Sequence, residues 1–305
     1  MQLMPIPKSD LNVSRLCLGT MTFGTPVGEA EAIRLTHHAM ERGLNFIDTA
    51  NMYQGYTRYL GSPGGVAEEI LGKALKGKRS QVVLASKVGM KIGPADDDQG
   101  LSRGHILREI DRSLARLGCE QVDLYYMHKP DPLVPMEESV GTFNDLVQAG
   151  KIRYWGVSNF SAAQLTGLLT VCDTNGWPRP VAVQPAYSLL KREAEKELLP
   201  VCQREQIGVI PYQVLQGGLL TGKYRRGREI PKDSRQAEKP EWSLALNEAT
   251  FDQLEQLQGE AQARGRSLLQ HALQALLEQP GLVSLIVGAK RPAQIDDLLH
   301  AIETA

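Results

Sequence analysis

The feature of the sequence that most limits its possible folds is the regular recurrence of short apolar segments. Eight strand-like segments occupy residues 14–19, 44–49, 82–87, 122–128, 152–158, 180–185, 207–212 and 283–288. Six of the seven intervals between their ends measure 26 to 41 residues, which suits one strand followed by one crossover helix. Amphipathic helical patterns fill the intervals, for example at 29–43 and 105–118, each ending at a glycine. Eight such units predict an α/β protein with a single (β/α)8 TIM barrel in one domain over residues 1–305, and a doubly wound open sheet is the alternative.

Two segments do not fit this regular alternation of strands and helices. The last interval measures 76 residues and contains the polar stretch 224–243. We interpret that stretch as a functional loop over the barrel mouth, because long loops in compact domains are usually functional or disordered. Residues 3–16 predict a short N-terminal β-hairpin before the first barrel strand.

Composition and charge argue against several classes of protein. The formal net charge of −1 gives no reason to expect nucleic acid or an anionic membrane as a partner. No segment approaches the ~18 apolar residues of a membrane span, and the first ten residues lack the pattern of a signal peptide. The four cysteines form no CxxC pair and the six histidines no HExxH or HxxxH pair. We therefore expect reduced thiols, no metal site and a cytoplasmic location.

Titratable residues stand at the ends of three consecutive predicted strands. The second strand ends at Asp48, with Tyr53 five residues on, the third ends at Lys87, and the fourth ends at His128. The carboxyl ends of barrel strands meet at one mouth, where barrel enzymes carry their chemistry. There, Lys87 could lower the pKa of Tyr53, Asp48 could neutralise Lys87, and His128 could donate a hydrogen bond to a carbonyl oxygen or to Tyr53. Together they form a donor set for an oxygen that gains negative charge, as carbonyl reduction requires.

Each of these residues also has an ordinary structural interpretation. A tyrosine after a strand often belongs to the core or rim, a lysine at a strand end is usually solvated, and a lone histidine is commonly a satisfied structural residue. The residues alone leave the catalytic and the structural interpretation open. A Schiff-base lyase with Lys87 as its nucleophile is a further possibility on the same fold.

Several motifs, in a fixed order, resemble those of the aldo-keto reductase superfamily over essentially the whole length. They read "LCLGTMTFG", "GLNFIDTANMY", "EEILGKALKGKRSQVVLASKVG", "SLARLGCEQVDLYYMHKPDP", "LVQAGKIRYWGVSNF", "VQPAYSLL", "GLLTGKY" and "LIVGAKRPAQIDDLL". The resemblance implies a barrel that binds NADPH, less often NADH, and reduces a small-molecule carbonyl substrate. It also implies the catalytic tetrad Asp48, Tyr53, Lys87 and His128, with the tyrosine as general acid toward the carbonyl oxygen.

The same resemblance implies a set of cofactor-binding residues. Ser158, Asn159 and Gln184 would hold the nicotinamide amide, Tyr212 would stack on its ring, and Gly19, Thr20, Met21 and Asp48 would line the same region. The pyrophosphate would lie along Gln213, Leu215, Gly217 and Lys223. The adenosine end would lie at Gly288, Lys290, Gln294 and Asp297, with Lys290, Arg291 or Arg235 available to pair with a 2′-phosphate.

The sequence departs from the family pattern at several positions, and it leaves a second functional alternative beside the lyase. Leu298 falls where many relatives have an asparagine, Gln213 replaces a more usual serine, and the insert 54–65 after Tyr53 is longer than the common glycine turn. The alternative to an active reductase is an NADPH-binding barrel that acts as a sensor or as an assembly subunit.

Overall fold

The fold is an eight-stranded parallel barrel, in a computed structural model that describes residues 3–303. A separate two-stranded sheet consists of β1 (Leu3–Pro5) and β2 (Asn12–Ser14), and the barrel strands are β3 (Leu16–Gly19), β4 (Phe46–Asp48), β5 (Val83–Val88), β6 (Val122–Met127), β7 (Ile152–Ser158), β8 (Ala182–Gln184), β9 (Gly208–Val209) and β10 (Leu285–Val287). The strand order is β10-β3-β4-β5-β6-β7-β8-β9. Backbone hydrogen bonds join the two edges, from Val283 N to Val209 O at 2.9 Å and from Ile286 N to Pro211 O at 3.0 Å. The predicted (β/α)8 barrel is confirmed, and the doubly wound alternative is wrong. The assignment of residues 1–305 to one domain stays a prediction.

Helices surround the barrel, and one of them, α7, lies above it in the stretch 224–243. They are α1 (Glu29–Glu41), α2 (Val66–Ala74), α3 (Arg103–Leu117), α4 (Met136–Gln148), α5 (Ala162–Asn175), α6 (Leu198–Glu205), α7 (Arg235–Glu238), α8 (Glu248–Ala263), α9 (Leu268–Leu277) and α10 (Pro292–Glu303). The helix expected at 105–118 is α3, which begins at the Ser102 cap and ends at Gly118, whose φ is 64°. Ile106 and Ile110 on its apolar stripe are fully buried against the sheet, and each such side chain stabilises the fold by ~1.5–3 kcal/mol.

The N-terminal hairpin closes the end of the barrel opposite the carboxyl ends of the strands. Its strands β1 and β2 pair antiparallel, with Leu3 opposite Ser14 and Pro5 opposite Asn12. Apolar residues of the hairpin join the cluster inside the barrel, where Ile6 and Val13 pack in the same group as Cys17, Phe46 and Leu124. The predicted hairpin is confirmed, and its apolar side chains fill one end of the barrel interior.

The long last interval holds α7, α8 and α9 before β10 begins. Within the stretch 224–243, Trp242 contacts Tyr56 edge-on, with ring centroids 5.6 Å apart. The Arg235 guanidinium lies over the same Tyr56 ring, 5.0 Å from its centroid. This stretch therefore lies against the insert 54–65 above the barrel, which is the position expected for it. Among residues 3–303, no helix is both long enough and apolar enough to cross a membrane.

Candidate active site

Three residues from strand ends and one from a loop meet at the mouth of the barrel. Asp48 is the last residue of β4, Lys87 lies one residue before the end of β5, and His128 directly follows β6. Tyr53 lies in the loop that leaves β4 and partly packs against the main core. Because these strands are parallel and adjacent, their ends bring the four side chains to one place.

Lys87 is the centre of this group. Its side chain is fully buried and forms an ion pair with Asp48. The same ammonium donates to the carbonyl oxygen of Thr49 at 2.8 Å and to the hydroxyl of Tyr53 at 3.2 Å. Gln184 donates to the second carboxylate oxygen of Asp48 at 2.9 Å. All three ammonium hydrogens therefore have an acceptor, which fixes the ammonium next to the Tyr53 oxygen.

The pKa shifts of this group follow from burial and from the ion pair. Burial alone would lower the pKa of Lys87, but the neighbouring Asp48 carboxylate and Tyr53 hydroxyl raise it above its ordinary value. Lys87 is thus held in its charged form. Burial raises the pKa of Tyr53 and outweighs the lowering effect of Lys87. The lowering effect expected of Lys87 is present, but desolvation of the hydroxyl, which the sequence does not reveal, is larger.

His128 lies beside Tyr53 and is held neutral. The two rings meet edge-on at 79°, with centroids 6.0 Å apart. Burial, followed by the positive charges of Lys87, Arg58 and Lys129, holds the pKa of His128 well below its ordinary value. Its Nδ1 atom is buried and has no hydrogen-bond partner among the described residues. Since Nδ1 is closed to solvent, a group that enters the mouth would have to hydrogen-bond to the other ring nitrogen, Nε2.

The residues expected around a nicotinamide adjoin this group. Ser158 donates to the backbone oxygen of Gln184 at 2.9 Å, and Tyr212 donates to the amide oxygen of Asn159 at 2.7 Å. The Asn159 amide nitrogen in turn donates to the backbone oxygen of His128 at 2.9 Å. Through Gln184 and Asn159, these side chains connect directly to Asp48 and His128.

The end of β3 borders the same place. Gly19 is its last residue, and Thr20 follows it, donating from both its backbone nitrogen and its hydroxyl to the Asp48 backbone oxygen at 3.0 and 3.1 Å. Met21, next in the chain, is half-buried. A Cβ at Gly19 would lie 2.8 Å from the Ile286 side chain, so the packing between β3 and β10 leaves no room for a larger residue.

The residues expected at the pyrophosphate and adenosine ends line two adjoining cavities. One is lined by Gln213, Leu215, Gly217, Lys223, Gly288, Lys290 and Gln294, among others. The second measures about 550 Å³ and shares Leu215, Lys223, Gly288 and Gln294 with the first. Asp297 and Leu298 line the second cavity. The structure thus brings all eight expected residues to one continuous depression.

Cations surround the first cavity, and the stretch 224–243 partly neutralises them. Lys290 forms an ion pair with Glu238 and donates to the backbone oxygen of Asp233 at 2.8 Å. Desolvation, followed by the positive charge of Lys290, lowers the pKa of Lys223. An anion in this cavity would relieve that repulsion, so the residues present suit a dinucleotide pyrophosphate. Within residues 3–303, no cluster of histidine, cysteine and carboxylate side chains could hold a metal ion.

Sequence reasoning missed residues that come from the insert 54–65 and from the stretch 224–243. Arg58 of the insert lies near Tyr53 and His128, and Asp233 and Glu238 pair with Arg291 and Lys290. No motif or periodicity marks these residues, because their positions depend on contacts between loops that lie far apart in the sequence.

Comparisons with known proteins identify the family. The family model described as "Aldo/keto reductase family" matches residues 15–305. A "Probable voltage-gated potassium channel subunit beta" from Arabidopsis thaliana is 35% identical over 99% of this chain and 92% of its own. "Aldo-keto reductase YhdN" from Bacillus subtilis (strain 168) is 34% identical over 98% and 88% of the two chains. "L-glyceraldehyde 3-phosphate reductase" from Escherichia coli (strain K12) is 34% identical over 97% and 86%.

A solved structure gives the same result for the fold. The glycerol dehydrogenase AKR11B4 from Gluconobacter oxydans superposes with a TM-score of 0.82 at 29% identity, covering 100% of this chain and 91% of that one. The family match and the relatives named as reductases support oxidoreductase activity. On this evidence, the chain belongs to the aldo/keto reductase family.

Proposed function

We propose that the protein is an NADPH-dependent reductase that converts small aldehydes or ketones to alcohols. One observation carries the proposal. The Tyr53 hydroxyl lies 3.2 Å from the Lys87 ammonium, beside a neutral His128, at the barrel mouth. This arrangement offers a proton and two stabilising groups to an oxygen that becomes negative, as reduction of a carbonyl group requires.

In this proposal, each of the four tetrad residues has a separate role in the reaction. His128 hydrogen-bonds to the carbonyl oxygen and orients it toward Tyr53. The hydroxyl of Tyr53 gives its proton to that oxygen, and a raised pKa keeps the hydroxyl protonated at neutral pH until the reaction. Lys87 then stabilises the tyrosinate that remains, while Asp48 compensates the buried ammonium. When bound, NADPH supplies the hydride.

The residues beside the tetrad and those around the two cavities support a nicotinamide cofactor. Ser158, Asn159 and Gln184 offer the donors and acceptors that a carboxamide requires. The cations Lys223, Arg235 and Lys290 surround the first cavity and suit phosphate groups. We propose NADPH over NADH, because several cations lie at the end where a 2′-phosphate would bind.

We also propose that the protein is cytoplasmic. All four cysteines are free thiols, and three of them are buried. Unpaired cysteines are typical of a reducing compartment.

The test is NADPH oxidation by the purified chain against a panel of aldehydes and ketones, with NADH as the comparison. The proposal predicts turnover with NADPH, a lower kcat/KM with NADH, and an alcohol product. Absence of turnover over the whole panel, with NADPH bound, would contradict the proposed activity. Comparable kcat/KM values for the two cofactors would contradict the NADPH preference alone.

Two alternatives make different predictions. The relatives named as potassium channel β subunits are consistent with the alternative of an assembly subunit. An NADPH-binding barrel with little catalysis predicts tight NADPH binding and no turnover in the same assay. A lyase with Lys87 as nucleophile requires a neutral, accessible amine. Lys87 is instead fully buried and held in its charged form, so the geometry disfavours a Schiff base.

A further inference from the structure

The insert 54–65 brings an arginine to the rim of the site. Arg58 lies five residues after Tyr53, and its guanidinium NH2 donates to the backbone oxygen of Lys91 at 3.3 Å. Lys91 lies in the loop that leaves β5, four residues after Lys87. Arg58 therefore spans the two loops that leave β4 and β5, which places its guanidinium at the barrel mouth beside the tetrad.

The hydrogen bonding of this arginine is incomplete. Its Nε atom is buried and has no partner, and no carboxylate of residues 3–303 forms an ion pair with it. By comparison, Arg79 and Arg153 both bind the Asp123 carboxylate, at 2.7 and 2.8 Å, although the Nε atom of Arg79 also lacks a partner. Because Nε is closed to solvent, an acceptor from outside would have to meet the terminal nitrogens, of which NH2 makes the one hydrogen bond to Lys91 and NH1 makes none within residues 3–303.

The surrounding charges add to this positive potential. Lys129 directly follows His128 and also has no ion-pair partner in the part of the chain that the structure describes. Arg58 and Lys129 both lower the pKa of His128, and Arg58 also interacts electrostatically with Tyr53. The mouth next to the proposed carbonyl position thus carries uncompensated positive charge.

We propose that Arg58 binds an anionic group of the substrate, so that the preferred substrates are aldehydes or ketones that carry a carboxylate or a phosphate. The planar guanidinium presents paired N–H donors that match both of these groups. The backbone oxygen of Lys91 accepts a hydrogen bond from NH2 alone, so NH1 of the guanidinium is not engaged by Lys91. Lys129, which follows β6, adds a second positive charge. This inference rests on the proposed reductase function and names the class of substrate.

Matched substrates test the proposal. Succinic semialdehyde is compared with butanal for the carboxylate, and glycolaldehyde phosphate with glycolaldehyde for the phosphate. We expect the wild-type kcat/KM to be higher for the anionic member of at least one pair, which also identifies the preferred anion. In Arg58→Gln, the KM for that anionic substrate should rise by roughly 10-fold to 100-fold, while the KM for its neutral partner changes little. Arg58→Lys keeps the charge and should retain part of the preference.

The controls separate the subsite from a structural role. Lys76→Gln removes an exposed charge after α2, at the opposite end of the barrel, and should behave as the wild type. If Arg58 only anchors the insert to Lys91, Arg58→Gln will impair anionic and neutral substrates equally, and that result would overturn the proposal. If Arg58→Gln does not fold, as judged by thermal unfolding, the comparison of Arg58→Lys with the wild type decides instead.

Binding provides an independent result. Calorimetric titration of the NADP⁺-loaded protein with succinate and with inorganic phosphate should show binding that weakens in Arg58→Gln. If the wild type reduces no carbonyl compound but binds these anions through Arg58, the proposed activity fails and the subsite stands. If it reduces neutral and anionic partners equally and binds neither anion, the activity stands and the subsite fails.

Discussion

The side-chain nitrogen of Gln184 donates to Oδ2 of Asp48 at 2.9 Å, although the two residues lie 136 positions apart in the sequence. Asp48 ends β4 and Gln184 ends β8, so four strand spacings separate them in an eight-stranded barrel. The hydrogen bond therefore crosses the barrel interior from one wall to the opposite wall. It connects the residue that compensates Lys87 with a residue proposed to hold the cofactor amide.

Tyr53→Phe tests the proposed general acid. Removing the hydroxyl deletes the proton donor and keeps the ring, so we expect kcat to fall by ~10² to 10⁴ while the Kd for NADPH, measured by fluorescence titration, changes little. Tyr154→Phe, which removes a hydroxyl near the hairpin end of the barrel, is the control. Near-normal kcat in Tyr53→Phe would rule out this role for Tyr53.

Asp48→Ala tests the buried ion pair. The substitution leaves the fully buried Lys87 ammonium without its counterion, so the free energy of unfolding should fall by ~3–5 kcal/mol in urea titrations. The double variant Asp48→Ala with Lys87→Met removes both charges and should recover part of the loss. Equal losses in the single and the double variant would show that the unpaired charge is not the cause.

His128 makes stability depend on pH. Its pKa is lowered on folding, so below about 6.5 the unfolded chain binds a proton that the folded protein does not bind. Stability is therefore fully present above that pH and falls as the pH decreases toward the lowered folded pKa, by up to ~1.4 kcal/mol per pH unit. In His128→Asn, urea titrations should show a weaker acid dependence. His105, whose pKa is also lowered, remains in both proteins, so the difference isolates His128. If the free energy of unfolding depends on pH in the same way in the wild type and in His128→Asn, that result would contradict the lowered pKa of His128.

Glu109→Leu tests the support of the Tyr53 loop. Asn51 lies between Asp48 and Tyr53 and donates to the fully buried Glu109 at 3.2 Å, while Arg112 donates to the second oxygen of Glu109 at 2.7 Å. Loss of this acceptor should displace the loop and lower kcat by roughly 10-fold to 100-fold without weakening NADPH binding. Glu109→Gln keeps an acceptor for Asn51 and should recover most of kcat. If both variants lose kcat equally, the Asn51 contact does not position Tyr53.

The barrel could be predicted from the sequence because its strands are apolar and regularly spaced. All eight segments contain a strand, although 44–49, 180–185 and 283–288 shorten to three residues and 207–212 shortens to two. At 180–185 and 207–212, Pro180, Pro185 and Pro211 lack the N–H that a ladder requires. The tetrad residues follow from the same regularity, because each lies at or near a strand end.

Electrostatics and loop contacts could not be predicted in this way. The raised pKa of Tyr53 depends on how completely the folded chain removes water from the hydroxyl, and no motif encodes that quantity. Likewise, Arg58 and Glu238 lie in segments without helical or strand periodicity. Their partners are Lys91 and Lys290, and these contacts form only once the barrel has brought the loops together.

The hairpin fills the end of the barrel opposite the carboxyl ends of the strands, and this affects how ligands can reach the site. Because Ile6 and Val13 pack inside that end, the barrel is closed there and is open only at the carboxyl ends of its strands. In the proposed function, cofactor, substrate and product therefore share one rim, which the insert 54–65 and the stretch 224–243 border.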